Sequence, residues 1–395
     1  MRRQYYDLIR TRLARGDVRW VATQGLRYLG TVLGERVGRP MVGPLLGTIV
    51  VTYRCNYFCE MCELPDRARR RRGEGIEEFT TEQWLEVVRG YHRIGTAAIG
   101  ITGGEPMLRT DLFEIMRHAR DLGIMTHLNT NGHFLTEERA AELLDTGVES
   151  INISLDGADA ETHNRIRGNR KSFETIMKGI ERLRRMRRGA LRPRITFVTV
   201  LGLDNLDHAR GVLRVAKEAG VDRVGFIPVH QYTDGGDPGS ILPERSFAAS
   251  AGEVTRELRR MRADEEMIDN SDEYLALFER CFRGEPSGLR CYAPYTSLVT
   301  DCYGNLYPCV PFNEIDRPVG RLGGDVTVES FWRSRAYEKT RRDLTGCQAC
   351  YWNCHTEMNL VFNRLPGRAG AAVDGAVREP VVSPNGNGVS AACGG

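Results

Sequence analysis

Three cysteines fall within eight residues in the run Cys55-Asn56-Tyr57-Phe58-Cys59-Glu60-Met61-Cys62. Thiolates at this spacing can wrap three corners of a [4Fe–4S] cube, a cluster that usually takes four cysteine ligands. The missing fourth ligand leaves one iron open, and an open coordination position marks a metal centre that does chemistry rather than structural work. A structural zinc knot is the competing reading. It needs a fourth Cys or His close by, and none lies between Cys62 and His92.

A second group begins with Cys291, continues through a Gly304-x4-Cys309 hairpin signal and ends in Cys347, Cys350 and Cys354. Its two halves, separated by the helix-like stretch 328–344, could close around one metal centre, either iron–sulfur or a structural zinc. Cys302 is a sixth candidate there, while Cys281 and Cys393 look like spares. The chain holds 11 cysteines, and Met1-Arg2-Arg3-Gln4-Tyr5-Tyr6 lacks the apolar segment and cleavage site of a secretory signal. Clustered cysteines without such a signal predict metal ligands in a reducing cytoplasm rather than disulfides. A net charge of +3 over 395 residues gives no argument for nucleic acid.

Ligand loops need rigid elements to hold them. From Thr48 onward short β-rich runs at 48–54, 97–101, 124–128, 149–153, 194–200 and 223–229 alternate with helical patterns near 81–94, 110–122, 136–146, 172–188 and 205–219. The first helix opens with Thr80-Thr81-Glu82-Gln83, a capping-box spacing. This alternation predicts an α/β fold in which parallel strands are joined by crossover helices. Six units make a partial (β/α)6 TIM-like barrel, whose chemistry is expected on the loops at the carboxyl ends of the strands. The predicted organisation is an Arg-rich amphipathic helical segment at 1–47, the barrel at 48–235 and a helical connector at 236–289. A small cysteine-rich C-terminal domain at 290–364 and a Gly/Ala/Ser/Pro-rich disordered tail at 365–395 complete it.

A CxxxCxxC loop after the first strand of such a barrel resembles the radical S-adenosylmethionine (SAM) superfamily, and four later motifs agree in order. Gly103-Gly104-Glu105-Pro106 follows the second strand like the family's GGEP motif, and Asn129-Thr130-Asn131-Gly132 follows the third like its TNG turn. Ser154-Leu155-Asp156-Gly157 ends the fourth, and His163–Gly168 resembles the segment that brings an arginine, here Arg165 or Arg167, to the same site. The resemblance covers residues 48 to about 230. It implies SAM chelating the open iron, with Gly103, Gly104, Glu105, Pro106, Asn131, Ser154, Asp156 and Arg167 around it. One-electron cleavage would then give a 5′-deoxyadenosyl radical, with an external electron donor such as flavodoxin or ferredoxin. The protein's share is to position SAM, exclude water and aim the radical at one C–H bond.

The second cysteine group resembles the SPASM and twitch extensions of that family, which carry auxiliary iron–sulfur clusters. It departs from the full SPASM pattern, which has seven or more ligands. One auxiliary cluster is expected, held by Cys291, Cys309 and two of Cys347, Cys350 and Cys354. Sulfatase-maturing relatives carry an aspartate directly after the Gly-x4-Cys cysteine, where this chain has Val310. Another group must serve as base, with Asp234, Asp237 and Tyr292 as candidates. His127, His133 and His230 are further proton-carrier candidates, each weighed against a scaffold role.

The basic run Arg67 and Arg69–Arg72 reads as a solvated loop near the substrate mouth, leaving room for an anionic substrate. Residues 5–37 could pack on the core or contact a membrane surface or partner protein. The short, helical N-terminal segment favours a small-molecule or carrier-bound substrate, or a peptide delivered by a separate partner, undergoing oxidation, epimerisation or a related reaction. A peptide-modifying maturase is the alternative, and a zinc-stabilised binding protein without turnover is the contrasting class.

Overall fold

The computed structural model describes residues 9–10, 13–14, 16–187, 192–202, 204–230 and 248–364. Asp234 and Asp237, the tail at 365–395 with Cys393, and most of the first 15 residues lie outside the described residues.

Six strands run parallel in chain order: β1 (Leu46–Val50), β2 (Ala98–Thr102), β3 (Met125–Thr130), β4 (Ser150–Ser154), β5 (Arg194–Leu201) and β6 (Arg223–Pro228). Helices Thr81–Arg93, Leu112–Asp121, Glu137–Asp145, Ser172–Arg187 and Ala209–Ala219 cross between them, within a few residues of the expected spans. Thr80 caps the first helix through the full capping box with Gln83. Along that helix Trp84, Val87, Val88 and Tyr91 recur at helical spacing and are buried on one face against the sheet. Each such side chain, fully buried, contributes roughly 1.5–3 kcal/mol.

The strands alternate in a way that hollows the barrel. Ile99 and Ile101, Leu128, Ile151 and Ile153, Ile195 and Phe197, and Val224 and Phe226 point outward under the helices. Thr48, Gly100, His127, Asn129, Asn152, Thr196 and Gly225, on the intervening positions, line a central cavity. Successive strand residues face opposite sides, so these small and polar residues share the inner face with Val50, Met125, Val198, Val200 and Ile227.

Both edges of the six-stranded sheet are covered. Beside β6, Val224 N–H donates to Met267 O (2.9 Å) and Asp269 N–H to Val224 O (2.8 Å). The Asn270 amide side chain bonds both Phe226 N–H (2.7 Å) and Phe226 O (3.0 Å), a side chain standing in for a strand partner. At the other edge the cysteine-rich region adds β7 (Ser297–Asp301), parallel to β1, followed by antiparallel β8 (Asn305–Tyr307) and β9 (Gly320–Arg321). One nine-stranded sheet therefore runs through barrel and cysteine-rich region, in the order β6-β5-β4-β3-β2-β1-β7-β8-β9.

The basic run differs from the solvated loop expected. Leu64–Gly73 is a helix, started by Pro65, and Arg67 on its inner face is 1% exposed. The Arg67 guanidinium donates to the carbonyls of Asn313 (2.6 Å) and Glu314 (2.5 Å) and lies over the Tyr53 ring. Arg71 pairs with Asp316 at 2.9 Å. Two arginines that follow the first cysteine group thus grip the segment after Cys309. An Arg67→Met variant keeps the apolar stem but leaves two carbonyls without their donor. It is expected to cost about 2–4 kcal/mol, measured as a lower denaturation midpoint of the apoprotein.

Candidate functional site

β1 ends at Val50, and residues 52–54 continue alongside the β2 exit. Gly104 N–H donates to Thr52 O (2.8 Å) and Glu105 N–H to Arg54 O (2.9 Å). A Cβ on Gly103 would lie 2.2 Å from Thr52 O, and one on Gly104 2.3 Å from Arg54 O. The pair of glycines is the condition for this approach. Glu78 locks the same stretch, accepting from the Thr52 hydroxyl (2.7 Å) and Tyr53 N–H (3.1 Å). The chain then enters Cys55–Cys62.

Cys55, Cys59 and Cys62 all line the cavity, whose volume is about 1130 Å³. Burial pushes the Cys55 thiol up to about 11 and Cys62 up to about 12, and raises Cys59 as well. Thiols so placed stay protonated until a cation takes the proton's place, so metal binding here releases protons. No group of three or more His, Cys, Asp or Glu side chains among the described residues could hold a metal ion by itself. A cube offers three irons to three cysteines, and this donor set fits it.

The motif residues divide into two groups. Gly103, Gly104, Asn131, Ser154 and Arg167 line the cavity, whereas Glu105, Pro106 and Asp156 do not. Glu105 is wholly buried and turned away from the site expected for it. Its carboxylate accepts from Met107 N–H (3.0 Å), the Thr130 hydroxyl (2.8 Å) and Asn131 N–H (2.7 Å), clamping the β2 loop to the β3 loop. Burial outweighs these bonds and lifts its pKa to about 6. Asn131, so placed, holds Asn56 through its amide (2.8 Å) and accepts from His133 N–H (2.9 Å). Asp156 sits behind Arg167, its Oδ2 2.6 Å from Nη2, while Oδ1 accepts from Val200 N–H (2.8 Å). Arg167 then reaches Cys59 Sγ through Nη1 (3.8 Å). Burial works against the guanidinium charge, but Asp156 and Cys59 together hold its pKa above the ordinary value.

Between the two arginine candidates the structure distinguishes plainly. Arg165 is half exposed and pairs with Asp204 (3.0 Å), whereas Arg167 faces the cavity. The turn that follows braces the cysteine loop. Gly168 adopts φ +60°, and a Cβ there would meet Phe58 O at 2.3 Å.

At the second group, Cys291, Cys309, Cys347 and Cys350 lie near enough for their charges to act on one another. Burial is the largest influence on each, raising Cys291 to about 12 and Cys309 and Cys350 well above the ordinary thiol value. Cys354 adjoins Cys350 and lines the cavity beside Trp352, Asn353 and Met358. Cys302 is apart from them, beside Asp301 and Glu78, and Cys281 is buried away from the cavity lining. Tyr292 is fully buried, stacks on Phe362 with ring centres 4.9 Å apart and does not line the cavity. Its candidacy as a base is corrected on that ground. Val310 does line the cavity, its N–H donating to His355 Nε2 (3.2 Å). Glu314 belongs to no motif that would mark it in the sequence. It lies on the same short helix as Val310, lines the cavity and acts electrostatically on Cys62.

Of the histidines, His133 bonds the Tyr57 hydroxyl (3.2 Å), and His127 bonds Ser150 Oγ (2.7 Å) inside the barrel. His163, not singled out by itself, accepts from Asp156 N–H through Nδ1 (3.1 Å). Burial lowers His127 and His230 to about 4 and His163 to about 3. Each imidazole is thus held neutral when folded and takes a proton more readily when unfolded. The unfolded state binds more protons below about pH 6.5, and stability falls as pH drops from there toward 4. The apoprotein's thermal midpoint is expected to decline through that window. The fully buried His163 accounts for on the order of 2–4 kcal/mol, and a His163→Gln variant should flatten the decline.

The radical SAM superfamily model matches residues 49–216, and a SPASM model, described as an iron–sulfur cluster-binding domain, matches residues 291–355. An AdoMet-dependent heme synthase of Oleidesulfovibrio alaskensis is 32% identical over 170 residues, 43% of this chain and 42% of that protein. The chain thus aligns with less than half of the curated relative's length. Among solved structures, Streptococcus suis SuiB is similar at a TM-score of 0.58 and 16% identity, covering 76% of this chain and 68% of that one. The structure of anSMEcpe with bound AdoMet gives 0.54 and 18%, covering 76% and 84%. At these identities the likeness is one of fold.

Proposed function

The chain belongs to the radical SAM superfamily and carries a SPASM iron–sulfur region, and from that premise we propose that it cleaves SAM reductively and abstracts hydrogen from a substrate held inside the barrel. When bound, the open-iron cluster and SAM supply a 5′-deoxyadenosyl radical. Cys55, Cys59 and Cys62 would hold that cluster. The cavity-facing Gly103, Gly104, Asn131, Ser154 and Arg167 would bind SAM, and Glu105 and Asp156 would fix them from behind. Cys291, Cys309, Cys347 and Cys350 would hold one auxiliary cluster, with Cys354 left at the cavity wall.

The observation that carries this reading is the continuity of the cavity. One space of about 1130 Å³ touches the three cysteines of the first group, Arg167, the inner wall of the barrel and Cys354 beside the second group. A substrate lying there would have one end toward SAM and the other toward the auxiliary site, the arrangement an oxidation needs when an electron must leave the substrate radical. Glu314 and His230 both face this space. With Val310 where sulfatase-maturing relatives have an aspartate, Glu314 is the carboxylate we assign to proton removal. The inward Thr48, Asn129, Asn152 and Thr196 suit the hydroxyl and amide groups of a small or carrier-bound polar substrate. A peptide is the second reading. SuiB has been solved bound to the precursor peptide SuiA, and anSMEcpe with AdoMet and the Cp18Cys peptide.

Air-free reconstitution with iron and sulfide, followed by reduction in the presence of SAM, tests the proposal. A brown protein containing iron and sulfide and releasing 5′-deoxyadenosine is expected. A colourless zinc protein that leaves SAM intact would overturn it.

A further inference from the structure

Helix Val18–Val37 is turned inside out for a helix in contact with water. The residues it buries are Thr31, Gly34 and Glu35, and Glu35 pairs there with Arg290. Tyr28, on the same inner side, stacks on Phe362 with ring centres 4.9 Å apart. Its exposed side carries Val18, Leu26, Leu29, Leu33 and Val37, from 50% to 67% exposed. Spacings of three and four residues along Leu26, Leu29, Leu33 and Val37 place them in one stripe, the reverse of the usual arrangement in which the apolar stripe faces the core. Among the described residues, seven of the nine exposed large apolar side chains lie between Leu13 and Met41. Such clustering marks a surface that something else covers.

Charge indicates what covers it. Residues 1–43 contain nine arginines and three acidic residues, a net charge of +6, which leaves −3 on the remainder of a chain of net charge +3. Arg19 and Arg36 are exposed on the helix that carries the stripe. On helix Val18–Val37 itself three arginines (Arg19, Arg27 and Arg36) stand against one acid, Glu35, so two copies meeting through the stripe would bring like charges together, which disfavours self-association. No helix among the described residues is long and apolar enough to cross a membrane. A basic helix of about 30 Å with an apolar outer face is built instead to lie in the headgroup region of an anionic bilayer.

We propose that helix Val18–Val37 docks the protein onto an anionic membrane surface, its leucines entering the interface and its arginines meeting lipid phosphates. The test is co-sedimentation of the full chain with phosphatidylcholine vesicles, with and without about one-third phosphatidylglycerol. Binding to the anionic vesicles is expected, weakening as salt rises. A Leu29→Glu/Leu33→Glu variant should bind about tenfold less or weaker still, with unchanged circular dichroism and thermal midpoint, since both side chains are exposed. An Arg19→Glu/Arg36→Glu variant should lose its preference for anionic over neutral vesicles. Absence of wild-type binding, or binding untouched by the leucine changes, would overturn the proposal. So would a wild-type dimer that the leucine changes convert to a monomer, which would make a second copy the occupant.

Discussion

Replacing Cys59 by alanine is expected to reduce 5′-deoxyadenosine release from SAM, under reducing and air-free conditions, by on the order of a thousandfold or more, the scale seen when one member of a catalytic unit is removed. Cys59 is the middle thiol of the first group and the one Arg167 contacts. Without it two cysteines remain, too few to hold a cube with a single open iron. A Cys350→Ala variant separates the two centres. Cys350 lies with Cys291 and Cys347 in the second group, so this variant should still cleave SAM but no longer couple cleavage to substrate turnover. Full cleavage by Cys59→Ala, or equal loss in both variants, would contradict the assigned roles.

The second large effect is expected at Asp156. The carboxylate is fully buried and faces Arg167, itself only 12% exposed, across 2.6 Å. An Asp156→Ala variant strands a guanidinium in a low-dielectric site and removes the acceptor of Val200 N–H. Breaking one side of such a pair costs about 3–5 kcal/mol, which chemical denaturation of the apoprotein would register. Removing both charges in Asp156→Ala/Arg167→Met should recover much of that loss, because the desolvation penalty goes with them. SAM affinity should remain impaired in the double variant if Arg167 contacts SAM. Stability and binding recovering together would assign Arg167 a scaffold role only.

Much of this architecture could be read from the sequence because its signals are local. A period-two pattern such as Ile151-Asn152-Ile153-Ser154 states both that the segment is a strand and which residues face inward. Three cysteines in eight residues need no tertiary contact to be noticed. What escaped reading depends on direction or on distant partners. The letters of the GGEP and SLDG motifs do not say that Glu105 and Asp156 turn away from the cavity, since that follows from the backbone amides of Asn131, after β3, and Val200, on β5. Arg67 looked solvated because its acceptors, the carbonyls of Asn313 and Glu314, are almost 250 positions away. Tyr292 looked available because nothing next to it reveals the stacking with Phe362.

The pairing of β7 with β1 sets an order of assembly. Tyr53, at the exit of β1, and Asp301, at the end of β7, bond across 248 residues of chain. During synthesis β1 can pair with β2 early, but its other edge stays bare until just over three-quarters of the polypeptide has emerged. Contacts of such sequence separation form slowly, and an unpaired strand edge invites association with other chains meanwhile. The first cysteine loop hangs from that same strand. Its final shape, and with it the capacity to accept a cluster, is therefore a late event in the life of the chain, decided after the ribosome has delivered the other cysteine group's strand.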